Sequence, residues 1–580
     1  MNIIGISALY HDSSCCILKN GQLVAAVQEE RFTRRKNESV MPCESFKYCL
    51  DEANLSINDI DCLAYYEKPV QKLSRQLWSG FDMHFQYNDS KNPLNTEKEI
   101  RELLGYEGEI QYIGHHLSHA AGAYYYSGFD EAAVLTMDGV GEWATTSYNY
   151  ANSQEIRTLE EVYFPHSLGL FYAAITSYLG FRINSGEYKV MGLAPYGNPI
   201  YEDKLWEIIK NGERGQFRLN LPYYDFIKAN CMYSELFIDL MKQPPRVPES
   251  EITQYHMDLA KSLQCVLEKI ILNKVTYLKQ ITNSDNLCLS GGVALNVVAN
   301  SKIQKEKYFK NIFVQPAASD AGNALGAAAA AYTNLTGKRI PNSRLEHVYL
   351  GPQNSYDEIE SILSSTLLEY TDYVNKTDEL IKVTAELLAQ GKVVGWFQDR
   401  MEFGPRALGN RSILADPRVN DMRDKLNRMV KKREQFRPFA PAVMEEKASD
   451  HFDMDSPSPF MLCTCQVISD IDLPAITHVD GTARVQTVND KFSSKFYRLI
   501  EEFYRQTNCP IILNTSFNVR GEPIIMTAID AIKCFVNTNI DILVLGDFLI
   551  DRKKNHMAKL KSVLRISDKS PTEKNVYTFI

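Results

Sequence analysis

The chain has 580 residues, of which 44% are hydrophobic and 23% charged, and its formal net charge is −9. A length of that order implies more than one domain, and the balance excludes a disordered protein, a fibre and a disulfide-held miniprotein. The acidic surface argues against a general nucleic-acid coat, so no nucleic-acid partner is expected. Met1-Asn2-Ile3-Ile4-Gly5 has no charged segment ahead of an apolar core, and no run reaches membrane-spanning length, so neither export nor a membrane is expected. The twelve cysteines are scattered without a CxxC pair, the pattern of reduced thiols in a cytoplasmic protein.

Residues 2–8 run into an apolar strand, 14–18 form a second, and Asn20-Gly21 marks a tight turn into a third at 22–27. A similar unit begins at 132–137, ends its first strand at Asp138-Gly139, and continues through 145–150 and 159–164. Two three-strand units, each with an acid just after its first strand, predict an internally duplicated α/β domain. That is the pattern of the actin-like and sugar-kinase-like ATPase folds, which hold a nucleotide between two such halves. Helical periodicity covers 44–53, 97–104 and 257–279. Two strand-to-helix units follow, 286–289 through Ser290-Gly291-Gly292 into 293–300, and 311–314 through 315–321 into an Ala-rich helix. The polar, irregular stretch 334–357, with Gly337, Pro341, Gly351 and Pro352, sets a boundary between domains 1–350 and 351–580. Beyond it, a helix at 378–388 and a strand at 393–397 open a separate α/β or α+β domain.

Several constellations carry chemistry. In Gly114-His115-His116-Leu117-Ser118-His119, the imidazoles of His115 and His119 fall one helical turn apart and can share a metal ion. Asp138, at a strand end, and Asp320, opening the Ala-rich helix, are candidate further ligands, although Asp320 also suits a helix cap. An imidazole and carboxylate set suits iron, manganese or zinc. Gly291, Gly292 and Asn296 form a glycine turn ahead of a helix N-terminus, able to receive a phosphate or a ribose hydroxyl. Gly186 and Glu187 are a second such candidate. In the second domain, Arg406 and Arg411 flank a glycine turn. Arg437 stands between Phe436 and Pro438, where a guanidinium can be held to fork onto phosphate or carboxylate. Lys432 and Arg433 suit a solvated basic helix. Ser516 lies where a buried strand ends in Asn514-Thr515-Ser516-Phe517-Asn518, a natural place for substrate contacts.

Taken together, Tyr10-His11-Asp12-Ser13, the charged run from Glu29 to Lys36 and Asn514-Thr515-Ser516-Phe517-Asn518 resemble the NodU/CmcH family of O-carbamoyltransferases. The resemblance implies an actin-like first domain, similar to the tRNA threonylcarbamoyl-transfer subunit, and a YrdC-like second domain. It implies that carbamoyl phosphate and ATP, with Mg, give carbamoyl-adenylate in the second domain, and that the first passes the carbamoyl group to a hydroxyl of a small-molecule acceptor. It further implies a divalent metal, typically iron, on His115, His119, Asp138 and Asp320. Arg406, Lys431, Arg437 and Ser516 fall on family positions that handle phosphates, with Arg484 beside them. Lys36 matches a lysine expected to face the site between domains. Transfer to an alcohol needs a base, for which His11 and Asp225 are candidates, each equally compatible with a structural role. Tyr223 and Tyr224 could offer a platform to a sugar-like acceptor. The alternatives are tRNA threonylcarbamoylation, hydrogenase maturation and a non-catalytic nucleotide-binding scaffold. The acidic charge and the long inserted region between about 198 and 279 speak against the first, the lack of paired CxxC motifs against the second, and the retained phosphate-binding set against the third.

Overall fold

The computed structural model describes residues 1–80, 92–227, 231–341, 344–431 and 434–563. Lys432 and Arg433 therefore lie outside the described residues. The chain forms two compact units. One comprises Met1–Glu29 and Asn37–Leu345; the other takes Glu30–Lys36 together with the chain from Glu346 onward. This differs from a single cut at 350, because a short early segment joins the later unit.

The first unit begins with an antiparallel meander of β1 (Asn2–Ser7), β2 (Ser14–Lys19) and β3 (Gln22–Gln28). Asn20 and Gly21 both take positive φ, 52° and 76°, as a two-residue turn matched to strand twist requires. β4 (Cys62–Tyr65) and β5 (Glu109–Tyr112) add in parallel on the other side of β1, giving the order β3-β2-β1-β4-β5. The same plan then repeats. β6 (Ala132–Met137), β7 (Ala144–Ala151) and β8 (Ile156–Tyr163) form a second antiparallel meander. A long excursion follows, with the small hairpin β9 (Ile209–Asn211) and β10 (Phe217–Leu219) and the helix Gln254–Thr282. β11 (Asn286–Ser290) and β12 (Asn311–Val314) then pair in parallel beside β6, giving β12-β11-β6-β7-β8. Identical order and identical strand senses make the unit a duplicated ribonuclease-H-like α/β fold of the actin-like ATPase type. β1 and β6 sit mid-sheet and are almost wholly buried, which explains their unbroken apolar runs.

Helices His115–Tyr124 and Asn323–Thr336 cross closely. Their small residues permit it: a Cβ on Gly326 would overlap the carbonyl oxygen of Ser118. The Ala-rich segment is thus a packed helix, and no helix of the described residues is long and apolar enough to cross a membrane.

The second unit holds β13 (Thr371–Asp372), β14 (Val394–Phe397), β15 (Arg411–Ala415) and β16 (Ala440–Met444). A two-stranded ribbon of β17 (Cys465–Gln466) and β18 (Thr482–Ala483) follows, then β19 (Gln486–Val488), β20 (Ile511–Ser516), β21 (Ile542–Leu545) and β22 (Phe548–Asp551). Apart from the ribbon these form one mixed sheet, β13-β22-β21-β14-β15-β20-β16-β19. Arg411 proves to be an internal brace. Its guanidinium is fully buried, lies 3.8 Å over the Phe397 ring, and donates to the carbonyls of Asp399 at 3.1 Å, Asn410 at 3.0 Å and Pro352 at 3.0 Å.

Candidate active site

In the first unit, helix His115–Tyr124 starts just after β5 and turns His115 and His119 to one side. Asp138 follows the last residue of β6, and a single 3-10 turn ahead of helix Asn323–Thr336 holds Asp320. The helix crossing brings these elements together. One ligand atom from each of His115, His119, Asp138 and Asp320 lies within 4.8 Å of the others, and all four residues are buried. His115 Nε2 is 3.0 Å from Asp138 Oδ2 and 3.7 Å from Asp320 Oδ1; His119 Nε2 is 3.6 Å and 3.5 Å from the same two atoms.

The donor set fits a cation. Both carboxylate oxygens of Asp320 are fully buried, yet among the described residues they accept no hydrogen bond. Two carboxylates removed from water need positive charge beside them. Burial works against charge on the His115 ring, yet Asp320 and Asp138 push its pKa up to about 9. Burial also works against Asp138, whose hydrogen bonds with His115 and His119 nevertheless hold its carboxyl well below the usual range. His116, one position round the helix, contacts Thr136 Oγ1 at 2.6 Å; burial and the two neighbouring imidazoles keep it neutral.

The ligands are themselves held. Asp138 Oδ1 accepts from Gly292 N at 2.9 Å. His119 Nδ1 meets Ser290 Oγ at 3.3 Å. Glu142, which the sequence did not single out, accepts from His115 N at 3.0 Å and from Lys68 N at 2.7 Å. A carboxylate there also complements the N-terminus of the His115 helix. Its one signal was an acid four residues past Asp138, in a glycine-flanked loop.

The other expected residues fall as follows. Gly291 takes φ 89°, and a Cβ there would overlap the Met137 carbonyl, so its backbone approaches β6 closely. Asn296 caps helix Val297–Glu306 by accepting from Ala299 N at 3.0 Å, and its amide pairs with Gln264. The Gly292–Leu295 stretch is a 3-10 turn, so the helix starts later than 293. Glu187 folds back to accept from Asn184 N at 2.9 Å and Gly186 N at 3.0 Å. His11 adjoins the cluster, 3.7 Å from Asp320 Oδ2 and 3.4 Å from Asp12 Oδ2. Burial opposes its charge, but Asp320 and Asp12 push its pKa up to about 10. Asp225 is half-buried between Tyr224 and Phe226, with no hydrogen bond or ion pair among the described residues. Tyr224 cannot serve as a platform: it is buried, with its hydroxyl donating to Ile208 O at 3.2 Å.

In the second unit, Lys431 Nζ donates to Asn518 Oδ1 at 2.8 Å, to Asn518 O at 3.1 Å and to Ser516 at the end of β20. Asn514 of β20 donates to Gln486 Oε1 at 2.8 Å and to Ala407 O at 3.3 Å, tying the loop of Arg406 to the strand that follows Arg484. His478 Nε2 meets Phe436 O at 3.2 Å, beside Arg437. Arg437 is half-buried, 3.5 Å from Glu434. The segment Glu30–Lys36, carrying Lys36, belongs to this unit through Arg31, which donates to Gly404 O at 2.8 Å, and Arg34, which donates to Ile524 O at 2.7 Å and Pro523 O at 2.9 Å.

Residues 2–329 match the family model described as the carbamoyltransferase N-terminus, and residues 385–552 match that of the carbamoyltransferase C-terminus. The chain belongs to the carbamoyltransferase family. Relatives of this transferase include an uncharacterised protein of Synechocystis, 43% identical over 95% of this chain and 96% of that one. Nodulation protein NolNO of Sinorhizobium fredii is 39% identical over 94% of this chain and 79% of its own. A 3'-hydroxymethylcephem-O-carbamoyltransferase of Amycolatopsis lactamdurans is 36% identical over 46% of this chain and 49% of its own. Among solved structures, HypF of T. kodakarensis overlays with a TM-score of 0.33 at 14% identity, covering 58% of this chain and 48% of that one. The fold assignment rests on strand order and not on that overlay.

Proposed function

We propose that this carbamoyltransferase-family enzyme is an O-carbamoyltransferase that activates a carbamoyl group with ATP and passes it to a hydroxyl of a small-molecule acceptor. The observation that carries the reading is a buried two-imidazole, two-carboxylate cluster at the heart of a carbamoyltransferase-family chain. A relative named for O-carbamoylation of a hydroxymethyl cephem supports oxygen as the receiving atom.

Carbamoyl phosphate and ATP with Mg are the co-substrates. Water cleaves carbamoyl phosphate to carbamate and phosphate. A carbamate oxygen then attacks the α-phosphorus of ATP, pyrophosphate leaves, and carbamoyl-adenylate remains. The acceptor oxygen attacks the carbamoyl carbon, gives up its proton, and AMP departs. Arg406, Lys431, Arg437, Arg484 and Ser516, in a YrdC-like second unit, serve adenylation, where cations offset repulsion between two polyanions. Lys36 holds the adenylate phosphate. In the first unit, Gly291, Gly292, Asn296, Gly186 and Glu187 line the nucleotide side, Gly292 through a backbone N–H that also orients Asp138. His115, His119, Asp138 and Asp320 would hold a divalent metal, with iron suited to the donor set. That ion, when bound, supplies a Lewis acid for the carbamoyl carbonyl. His11 and Asp225 are the candidate groups for the hydroxyl proton. Because the adenylate is fragile in water, the reaction suits a closed, cytoplasmic enzyme that acts without a membrane or nucleic acid.

The test separates the two half-reactions. Pyrophosphate release from carbamoyl phosphate and ATP, without acceptor, reports the first. Arg437→Ala abolishes it, because the guanidinium facing the phosphates is lost. His119→Ala leaves it measurable while transfer to alcohols stops. If wild type releases no pyrophosphate and carbamoylates no hydroxyl compound, the reading fails. If both variants lose pyrophosphate release equally, the division of labour between the units is wrong.

A further inference from the structure

Helix Pro69–Trp78 turns Lys72, Arg75 and Gln76 inward. Lys72 is answered by Glu67 at 2.6 Å. Arg75 is 2% exposed, and among the described residues its Nε and Nη1 groups meet no acceptor. Beside it, Gln76 Oε1 is also buried without a donor. Among the described residues, the carboxylates within electrostatic reach of Arg75 are Glu67 and Glu142. Glu67 is engaged by Lys72, and Glu142 by the N–H groups of Lys68 and His115. A desolvated guanidinium with unmet donors is unfavourable in the free protein and becomes favourable once a ligand supplies oxygens.

The surroundings indicate which ligand. The Arg75 guanidinium lies 5.4 Å from the Phe164 ring centre. Trp78 stands edge-on to Phe164 at 6.0 Å and to Trp143 at 5.8 Å, and Trp78 is 57% exposed. An aromatic wall thus leads from solvent to a buried cation. The wall adjoins the metal-binding cluster, since Trp143 follows Glu142, which holds His115. Tyr10 is within electrostatic reach of Arg75, Asp320 and Asp138. Arg75 and Trp78 come from the first half of the duplicated fold, and Trp143 and Phe164 from the second, whose Gly292 and Asn296 are assigned to the nucleotide.

We propose that Arg75, Trp78, Trp143 and Phe164 form the acceptor subsite, and that it selects a ring-bearing alcohol carrying an oxyanion, a carboxylate or a phosphate. The term acceptor rests on the transferase reading above; the ligand class rests on the buried cation and the rings. Guanidinium recognises planar or tetrahedral oxyanions through several N–H donors at once and repels an ammonium. Rings against tryptophan faces supply the apolar contact. Arg75 is here a specificity-determining residue.

The test is a tryptophan-fluorescence titration of the full chain with four hexoses that differ in charge: glucuronate, glucose 6-phosphate, glucose and glucosamine. Of the four tryptophans, Trp78 and Trp143 line the subsite, so Trp78→Phe should remove much of the signal. At least one of the two anions should bind ten times more tightly than glucose, with glucosamine weakest, and the tighter anion identifies carboxylate or phosphate. Arg75→Met should abolish the preference and Arg75→Lys should keep part of it, with circular dichroism checking the fold. Equal affinities for all four sugars in wild type would overturn the proposal without any variant. So would an anion preference that survives Arg75→Met. The titration needs no turnover. If carbamoyl transfer fails while the anion preference stands, the catalytic reading falls alone; if transfer proceeds while the sugars bind alike, the subsite falls alone.

Discussion

Among the described residues, Asp320 has two buried oxygens without a hydrogen-bond donor, and the hydrogen bonds of Glu142 reach the proposed ligands only at the backbone of His115. Together they suggest how the metal-binding cluster is held. If Glu142 fixes the start of the helix that presents both imidazoles, Glu142→Gln should weaken metal binding by about 10–100-fold while leaving all four ligands in place. Chelator competition on the purified protein measures this, and a variant that binds as tightly as wild type would remove Glu142 from the account. A His115→Ala/His119→Ala double variant should lose the metal altogether, which elemental analysis would register as a fall from about one ion per chain. The imidazole pair was legible because i and i+4 share a helix face whatever the fold. Glu142 and Arg75 were not. An acid in a loop and an arginine in an amphipathic helix look like surface residues until tertiary packing buries them. Arg411 misled in the opposite direction: it resembled part of a cationic site, and the fold surrounds it with its own carbonyls.

At the level of elements, the strands were legible because their patterns follow period and turn chemistry. Asn20-Gly21 and the acid-ending apolar runs located both meanders, every strand boundary within one residue except the start of β8, which lies three residues earlier than expected. The helix crossing was harder, because an alanine run announces a helix without saying what it packs against. That crossing carries Asp320 to the two imidazoles. Gly326→Val should therefore act at a distance. With no room beside the Ser118 carbonyl, the helices must part, at a cost of about 1–3 kcal/mol. Metal affinity should fall further than the loss of stability alone explains, since Asp320 moves with its helix. Thermal melting and metal titration on the same sample decide it; a lower melting temperature with unchanged metal affinity would mean the cluster does not depend on the crossing.

For the molecule as a whole, the segment Glu30–Lys36 matters most, because it follows β3 in sequence yet belongs to the second unit. Sequence order hides this, since neither the charge run nor its spacing points to a partner hundreds of residues away. Arg34→Ala removes hydrogen bonds to Ile524 O and Pro523 O, and should cost about 1–2 kcal/mol, these being part-buried. Chelation of the metal should destabilise the first unit instead. Among the described residues the two sites share no hydrogen-bond partner, so calorimetry should find their effects additive; a chelation effect that vanishes in Arg34→Ala would show that the sites are coupled. The same segment sets a timetable for synthesis. Gly404, which accepts from Arg31, lies 373 positions downstream. At about 5–20 residues per second, the ribosome leaves those early residues waiting roughly 20–75 s before their partner exists. Arg31, Arg34, Arg35 and Lys36 give the segment a charge that keeps it hydrated during that wait, whereas an apolar segment in the same place would invite association between nascent chains.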